Sequence, residues 1–472
     1  MFVSRTDELA ALNKMYEKNS FQMAVVYGRR RVGKTTLLSE FVKDKPAVFF
    51  AAPEANEHLN LTLFSNKVYS FFGLPKTTGI FRNWHDAFSF VAEKAKEQRF
   101  ILVIDEFPYL VSSNKSIKSI LQNIIDHELK DTNLFLILCG SQISFMEKQV
   151  LGGKSPLFGR RTAQFRIEGF DYYDAAKMLP GVSNEEKIKY YACVGGTPHY
   201  LSQIDLNLSF EENLIDLYFD PRAYLYGEPT MLLQQELREP AMYNSVISAV
   251  ATGASRMNDI STKIAEETAK SGKYVKTLLD LRILRKEVPF GENPKSSRKT
   301  IYHISDHCFR FWYKYVFMHN DGIETGAGRI IAESMVFPEL SSFIGKPAFE
   351  DVCRQYIIRK NKERALPFLG TNFGTWWGTD SQAKQAADID IVADNKPLKK
   401  VLLCECKWRN EPTDAGEIQK LLGKSRLLPG YNEYYYYMFF SKSPYTDAAL
   451  KLAQENQNLQ LITLDMLFEP PF

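Results

Sequence analysis

An α/β fold in several parts is what this sequence predicts, and three observations carry that expectation. First, the short, apolar, β-branched run Met23-Ala-Val-Val-Tyr27 leads into a glycine loop, Gly28 to Thr36, and then into Leu37 to Val42, which has helical spacing. Strand, loop and helix in that order are the unit of a parallel sheet. Second, the apolar run Phe100 to Ile104 ends in Asp105 and Glu106, as a buried parallel strand would. Third, Asp388 to Ala393 and Val401 to Trp408 alternate charged and apolar residues, as half-buried strands of a second sheet do.

The glycine loop reads Gly28-Arg-Arg-Arg-Val-Gly-Lys-Thr-Thr36 and matches G-x-x-x-x-G-K-[ST]. Between a strand and a helix this pattern is a phosphate cradle. Gly28 and Gly33 allow the tight turn, and Arg29, Arg30, Arg31 and Val32 supply backbone N–H groups that point inward. The helix that begins near Gly33 adds its positive end. Lys34 is expected to reach the β- and γ-phosphates of ATP, Thr35 to hold Mg²⁺, and Thr36 beside it to belong to the nucleotide-binding loop. Asp105, at the carboxyl end of its strand, would complete the Mg²⁺ shell, and Glu106 would act as general base on the attacking water.

Two further stretches bear on this site. The apolar run Leu134 to Cys139 ends in Gly140, Ser141 and Gln142. Ser141 or Gln142 could touch the γ-phosphate or the water, or simply end a strand in a turn. Arg160 and Arg161 follow a Gly/Pro-containing loop. They could reach a phosphate in cis or in a neighbouring subunit of a homo-oligomer, or stand as solvated surface charges. Upstream, Ser4 is a good N-cap for a helix running through about Lys18.

The glycine loop, the Ile-Asp-Glu strand and the Gly-Ser strand together resemble the AAA+/STAND superfamily of P-loop ATPases, and more closely its archaeal-type ATPase family. The opening Val3-Ser4-Arg5-Thr6-Asp7-Glu8 resembles the hydrophobic–Gly-Arg-Glu-x-Glu motif of STAND proteins, departing from it at Ser4 and Thr6. The resemblance implies a place near the adenine for Arg5. Gly195-Gly-Thr-Pro198 resembles the Gly-x-Pro lid motif, which implies that Pro198 packs near the base.

Residues 171 to 230 read as helices with Pro/Gly breaks, which suits a helical lid. Helices over Met242–Ala251, Asn258–Ala265 and Ser271–Leu281 follow. The last carries Tyr274, Leu278 and Leu281 on one face. Strands over Ile283–Pro289 and Thr300–Ser305 flank a polar, Gly/Pro/Ser-rich segment. Three helices and a hairpin make a winged helix-turn-helix, which reads DNA with its third helix. From Gln235 to Thr300 there are twelve Lys/Arg against eight Asp/Glu. Lys270, Lys273 and Lys276 on the third helix, and Lys295, Arg298 and Lys299 on the wing, stand where phosphate contacts would fall. Winged helices also serve as rigid packing modules.

Beyond the aromatic helix at Cys308–Phe317, a helix from Phe349 precedes the alternating strands. Period two puts Glu405 and Lys407 on one face. Asp390 and Glu405 are hard oxygen ligands for Mg²⁺, Lys407 can orient water or stabilise developing charge, and Glu350 could add a ligand or position a metal-bound water. This set resembles the PD-(D/E)xK nuclease superfamily, and its place in the chain resembles the C-terminal nuclease-like domain fused to this ATPase family. A strand over Glu433–Phe440, a helix over Asp447–Glu455 and a last strand from Leu459 complete this portion.

The expected organisation is an ATPase core over 1–165, a helical lid over 166–235, a winged helix-turn-helix over 236–315, a connecting segment over 316–340, and a restriction-endonuclease-like α/β domain over 341–472. The length of 472 residues suits several domains. Six cysteines without a C-x-x-C pair fit a reducing compartment better than a disulfide framework or a zinc site. The charged opening residues and the lack of any membrane-length apolar stretch suit a cytoplasmic protein without a membrane partner. A net charge of +3 does not by itself announce a nucleic acid. Two functions are therefore expected: an ATP-hydrolysing protein that controls a DNA-binding, metal-dependent endonuclease module, or a nucleotide-gated switch whose nuclease-like domain is silent.

Overall fold

The computed structural model describes residues 2–237, 239–431 and 434–470. By internal contacts the chain forms two compact units, Met1–Gly169 with Thr197–His199, and Phe170–Gly196 with Tyr200–Phe472.

The first unit is built on five parallel strands: β1 (Gln22–Tyr27), β2 (Ala47–Ala51), β3 (Ile101–Asp105), β4 (Phe135–Gly140) and β5 (Ala163–Arg166). Their order is β2-β3-β4-β1-β5. Strands β1, β3 and β4 are buried along their whole length, so both faces must be apolar, which is why each reads as an unbroken hydrophobic run. Alternation divides their side chains between two cores. Met23, Val25, Leu102, Ile104, Leu136 and Leu138 face one layer of helices, with Phe64, Trp84 and Phe88. Ala24, Val26, Ile101, Val103, Phe135 and Ile137 face the other, with Leu12, Leu37 and Phe41. Strands β2 and β5 carry no clear signal in the sequence. One is half-buried and the other has four residues, so neither shows the continuous run that marks the centre.

The first helix spans Thr6–Tyr16, and Ser4 does not cap it: Arg5 is the residue before it, both Ser4 and Arg5 have φ of 63°, and no side-chain cap forms.

In the second unit, the helices Asn184–Val194 and Phe210–Tyr218 start at Ser183 and Ser209, each accepting from the N–H three residues on. Helices Pro240–Ala251, Met257–Lys263 and Thr268–Asp280 precede an antiparallel hairpin of β6 (Leu284–Glu287) and β7 (Ile301–Ile304). Val246, Ile260, Val275, Leu278, Leu284 and Ile304 are buried among them. Tyr274 is only half-buried and packs edge-on against Tyr243 at 5.2 Å. The segment expected as a connector, 316–340, is helical almost throughout.

The last sheet contains β8 (Asn372–Asp380), β9 (Gln385–Asn395), β10 (Lys400–Lys407), β11 (Tyr435–Ser441) and β12 (Leu459–Ile462), in the order β12-β11-β10-β9-β8. The pairs β8·β9 and β9·β10 are antiparallel, and β10·β11 and β11·β12 are parallel. A register shift interrupts β8·β9 between Gly374 and Trp376. There the Thr375 carbonyl accepts from the Phe290 N–H at 2.8 Å. Helices Glu350–Lys362, Ala415–Gly423 and Asp447–Glu455 accompany the sheet. Glu433, the first residue of the strand expected before β11, lies outside the described residues.

Candidate functional site

In the first unit the carboxyl ends of β1, β3 and β4 converge. The turn after β1 depends on two glycines. A Cβ on Gly28 would stand 2.0 Å from the Ile167 carbonyl oxygen, so the backbone there admits no side chain. Gly33 has φ of 89°, in the left-handed region, and precedes the helix Lys34–Val42. Between them Arg29, Arg30 and Arg31 are half-buried and Val32 is buried. Lys34 is buried, with Nζ 2.9 Å from the Gly28 carbonyl oxygen and 2.8 Å from that of Arg29. Burial pushes its pKa down, and the charges of Glu106 and Asp105 work against that push.

Thr35 Oγ1 donates to Asp105 Oδ2 at 2.8 Å. Asp105 is buried, and its other oxygen accepts from the Glu106 N–H at 2.9 Å. Glu106 has φ of 51°, which ends β3 sharply before the helix Phe107–Ser113. Its Oε2 accepts from the Ser141 hydroxyl at 2.8 Å. The strand order explains this contact. Strand β4 lies between β1 and β3, so the residue after β4 falls between the glycine loop and the two acids. Thr35, Asp105, Glu106 and Ser141 thus form one hydrogen-bonded line, while Thr36 lies exposed on the first helical turn.

The remaining residues singled out for this unit divide into two groups. Arg5 donates to the Val32 carbonyl at 3.0 Å and also to that of Glu168, bracing the loop from behind. Pro198 Cγ is 4.0 Å from where a Cβ on Gly33 would be. Arg30 donates to the Tyr109 hydroxyl, a partner the motif does not reveal. Arg160, by contrast, is held in a bidentate pair with Asp126, Nε–Oδ1 2.8 Å and Nη2–Oδ2 2.5 Å, and its Nη1 donates to the Pro156 carbonyl. Arg161 is half-buried in the loop before β5.

In the second unit Asp390 on β9 and Glu405 on β10 lie on adjacent antiparallel strands. Asp390 Oδ2 accepts from the Cys406 N–H at 2.8 Å. Glu405 is clasped by two ammonium groups, Lys407 at 2.6 Å on Oε1 and Lys424 at 2.7 Å on Oε2. Lys346 is 3.1 Å from Glu350, 3.5 Å from Asp388 and 4.0 Å from Asp390. Burial, and then the neighbouring Glu405 charge, push Asp390 up to about 6; burial and then Asp390 push Glu350 up to about 7. Among the described residues no three His, Cys, Asp or Glu side chains gather as a metal-holding group. Lys346 and Lys424 carry no role in the sequence analysis, and Asp388 enters it only as part of the alternating strand. Lys346 lies four residues before Glu350 but in extended backbone, with φ of -136°, outside the helix that begins at Glu350, so helical spacing does not predict the contact. Lys424 follows Glu405 by 19 positions, a spacing that carries no signal either.

Of the basic residues on the third helix and wing, Lys270 pairs with Glu266 at 2.6 Å and Lys299 with Glu292 at 2.9 Å. Lys273, Lys276, Lys295 and Arg298 are exposed. Among the described residues no helix is long and apolar enough to cross a membrane.

Residues 2–204 match a family described as an ATPase domain predominantly from Archaea, and residues 312–419 match a family of archaeal and bacterial proteins of unknown function. An uncharacterized protein of Methanocaldococcus jannaschii is 31% identical over 439 residues, which is 92% of this chain and 94% of that protein. Among solved structures, the Walker-type ATPase of Pyrococcus abyssi is 19% identical, with a TM-score of 0.49, over 66% of this chain and 96% of the other. The ORC2 protein of Aeropyrum pernix, in ADPNP and ADP complexes, is 12% identical, with a TM-score of 0.45, over 68% of this chain and 94% of the other.

Proposed function

The chain belongs to the family of that Methanocaldococcus jannaschii protein and carries an archaeal-type ATPase domain, and on that premise we propose that it hydrolyses ATP and uses the nucleotide to control a DNA-binding, metal-dependent nuclease module. The observation that carries the first half is the line from Thr35 through Asp105 and Glu106 to Ser141. Lys34 faces the β- and γ-phosphates and offsets their charge. Thr35 and Asp105, already sharing a hydrogen bond, are an oxygen pair of the right hardness for Mg²⁺. When bound, Mg²⁺ neutralises charge on the phosphates. Glu106 accepts the proton of the attacking water, and Ser141 holds one of its oxygens so that the other faces the reaction. Arg5 and Pro198 support the loop. Arg160 is a structural residue in this reading, because Asp126 already holds it.

Supporting the second half are the hairpin module with exposed Lys273, Lys276, Lys295 and Arg298, read as a winged helix that grips DNA phosphates, and the Asp390–Glu405–Lys407 set. Asp390 and Glu405 are hard oxygen donors on adjacent strands and would hold a divalent ion, with Glu350 beside them. The ion would supply polarisation of the phosphodiester and a more acidic bound water. Lys407 then acts on the scissile phosphate as a point charge. A second reading, a nucleotide-gated switch with a silent C-terminal domain, is favoured by one observation: lysines already occupy both oxygens of Glu405.

The experiment that separates them incubates the full chain with plasmid, linear and single-stranded DNA, with Mg²⁺ or Mn²⁺, with and without ATP. Cleavage lost in Asp390→Ala, Glu405→Ala and Lys407→Ala, with ATPase activity intact, is expected. No wild-type cleavage under any condition would promote the switch.

A further inference from the structure

A charge buried in a protein is ordinarily paired, because taking an ion out of water is costly. Arg310, on the helix His307–Phe311, departs from this. It is 8% exposed. Its Nη1 and Nη2 donate to the carbonyl oxygens of Lys346 (3.0 Å) and Phe343 (2.8 Å), and the guanidinium stacks 3.6 Å from the Phe343 ring centre. The Nε group is buried and has no acceptor among the described residues. Asp351, an acid that acts on it through the interior, is already held by Arg285 at 2.8 Å and by His307 at 3.7 Å. Burial pushes the Arg310 pKa down only to about 10, so the group stays charged at neutral pH.

Arg310 borders a cavity of about 260 Å³ that is also lined by Lys314, Lys346, His303, Phe343 and Val250. No acidic residue lines it. The acids that face these side chains lie outside the lining: Glu339 3.6 Å from Lys314, Glu287 3.4 Å from His303, and Glu350, Asp388 and Asp390 around Lys346. The carboxyl end of the helix Pro240–Ala251 also borders the space and opposes an anion, but with only about half a unit charge. Three cationic side chains outweigh it.

We propose that this cavity binds a phosphate group, presented by a nucleotide or by a nucleic-acid strand, between Arg310, Lys314 and Lys346. The donors suit phosphate. A guanidinium edge gives directed N–H bonds, and two ammonium groups add point charge from the sides. The volume is below that of typical drug-sized sites, roughly 300–1,000 Å³, so it takes a phosphate with its sugar rather than a larger cofactor. Lys346 connects this space to Glu350 and Asp390, so a phosphate that draws its ammonium inward relaxes its hold on those carboxylates. The proposal does not depend on cleavage by the C-terminal domain or on the glycine loop.

The test uses the full chain carrying Lys34→Ala, which removes the main phosphate ligand of the other unit. Calorimetric titration with inorganic phosphate should show binding, weakened at least tenfold on adding Lys314→Ala or Arg310→Gln. Lys314 is partly exposed, so its variant tests the site even if Arg310→Gln does not fold. AMP and a short single-stranded oligonucleotide are then added as competitors. Displacement of phosphate by AMP alone assigns a nucleotide, and displacement by the oligonucleotide assigns a strand. Absence of phosphate binding, equal affinity with and without Lys314, or displacement by neither competitor overturns the proposal.

Discussion

The Ser141 hydroxyl donates to Glu106 Oε2 across 2.8 Å, joining the ends of two strands that are adjacent in the sheet but 35 residues apart in the chain. A carboxylate tied at one oxygen has fewer rotamers to search and presents the other in a fixed direction. Glu106→Gln should retain ATP affinity and lose about 10²- to 10⁴-fold in hydrolysis rate, the usual range for a general base. Ser141→Ala should lose about tenfold, because the base remains and only its restraint goes. Steady-state phosphate release with nucleotide binding measured in parallel checks both. Equal rates in wild type and Glu106→Gln would remove Glu106 from the reaction.

Gly28→Ala tests the cradle without touching its charges. A methyl group 2.0 Å from the Ile167 carbonyl oxygen forces the loop and the segment after β5 apart. Clashes of this kind in packed structure typically cost about 1–3 kcal/mol. A urea midpoint unchanged from wild type, with ATP affinity intact, would show that the turn relaxes freely.

On the third helix of the hairpin module Lys273 and Lys276 are exposed, and if the module binds DNA as proposed they should contact phosphates and not bases. The double alanine variant should weaken all duplexes alike and reduce the slope of log K against log salt by about 2. Filter binding across a salt series reads this, and an unchanged slope would make the module a packing element.

Stability should depend on acid through Glu287. Burial alone would raise its pKa, but His303, Arg354 and Arg285 outweigh burial and hold it at about 2, against 4.5 for a free glutamate. A folded-state pKa below the unfolded one gives stability that is complete above the unfolded value and is lost as pH falls toward the folded value. The contribution, up to about 3 kcal/mol, should therefore disappear between pH 4.5 and 2. Glu287→Gln should flatten the urea midpoint over that window. A variant as acid-sensitive as wild type would place the titration elsewhere.

The sheet centre was legible in the sequence because β1, β3 and β4 are buried on both faces, which forces unbroken apolar runs. Strands β2 and β5 lie at the edges, where burial is partial and the pattern fades. Thr35 and Asp105 could be named because a phosphate cradle constrains residue type and spacing. The Ser141–Glu106 bond could not be chosen over a simple turn, because it depends on β4 lying between β1 and β3, and chain order does not reveal that. Arg160 looked free in sequence, yet its partner Asp126 is 34 residues away on a separate helix. Glu405 and Lys407 were readable from alternation, whereas Lys424 reaches Glu405 only through the path of the helix Ala415–Gly423.

Strand β8 is the outer strand of the last sheet, and at its bulge the Thr375 carbonyl is taken by the Phe290 N–H, with Phe290 Cδ2 3.1 Å from where a Cβ on Gly374 would stand. An open strand edge is a template for a second chain, and here a residue just after β6 covers part of it. The consequence concerns how the chain can be cut. A fragment beginning near residue 341 discards Phe290 and leaves β8 bare along that stretch, which invites self-association. Dissection that keeps residues from the start of the hairpin module onward leaves the edge covered.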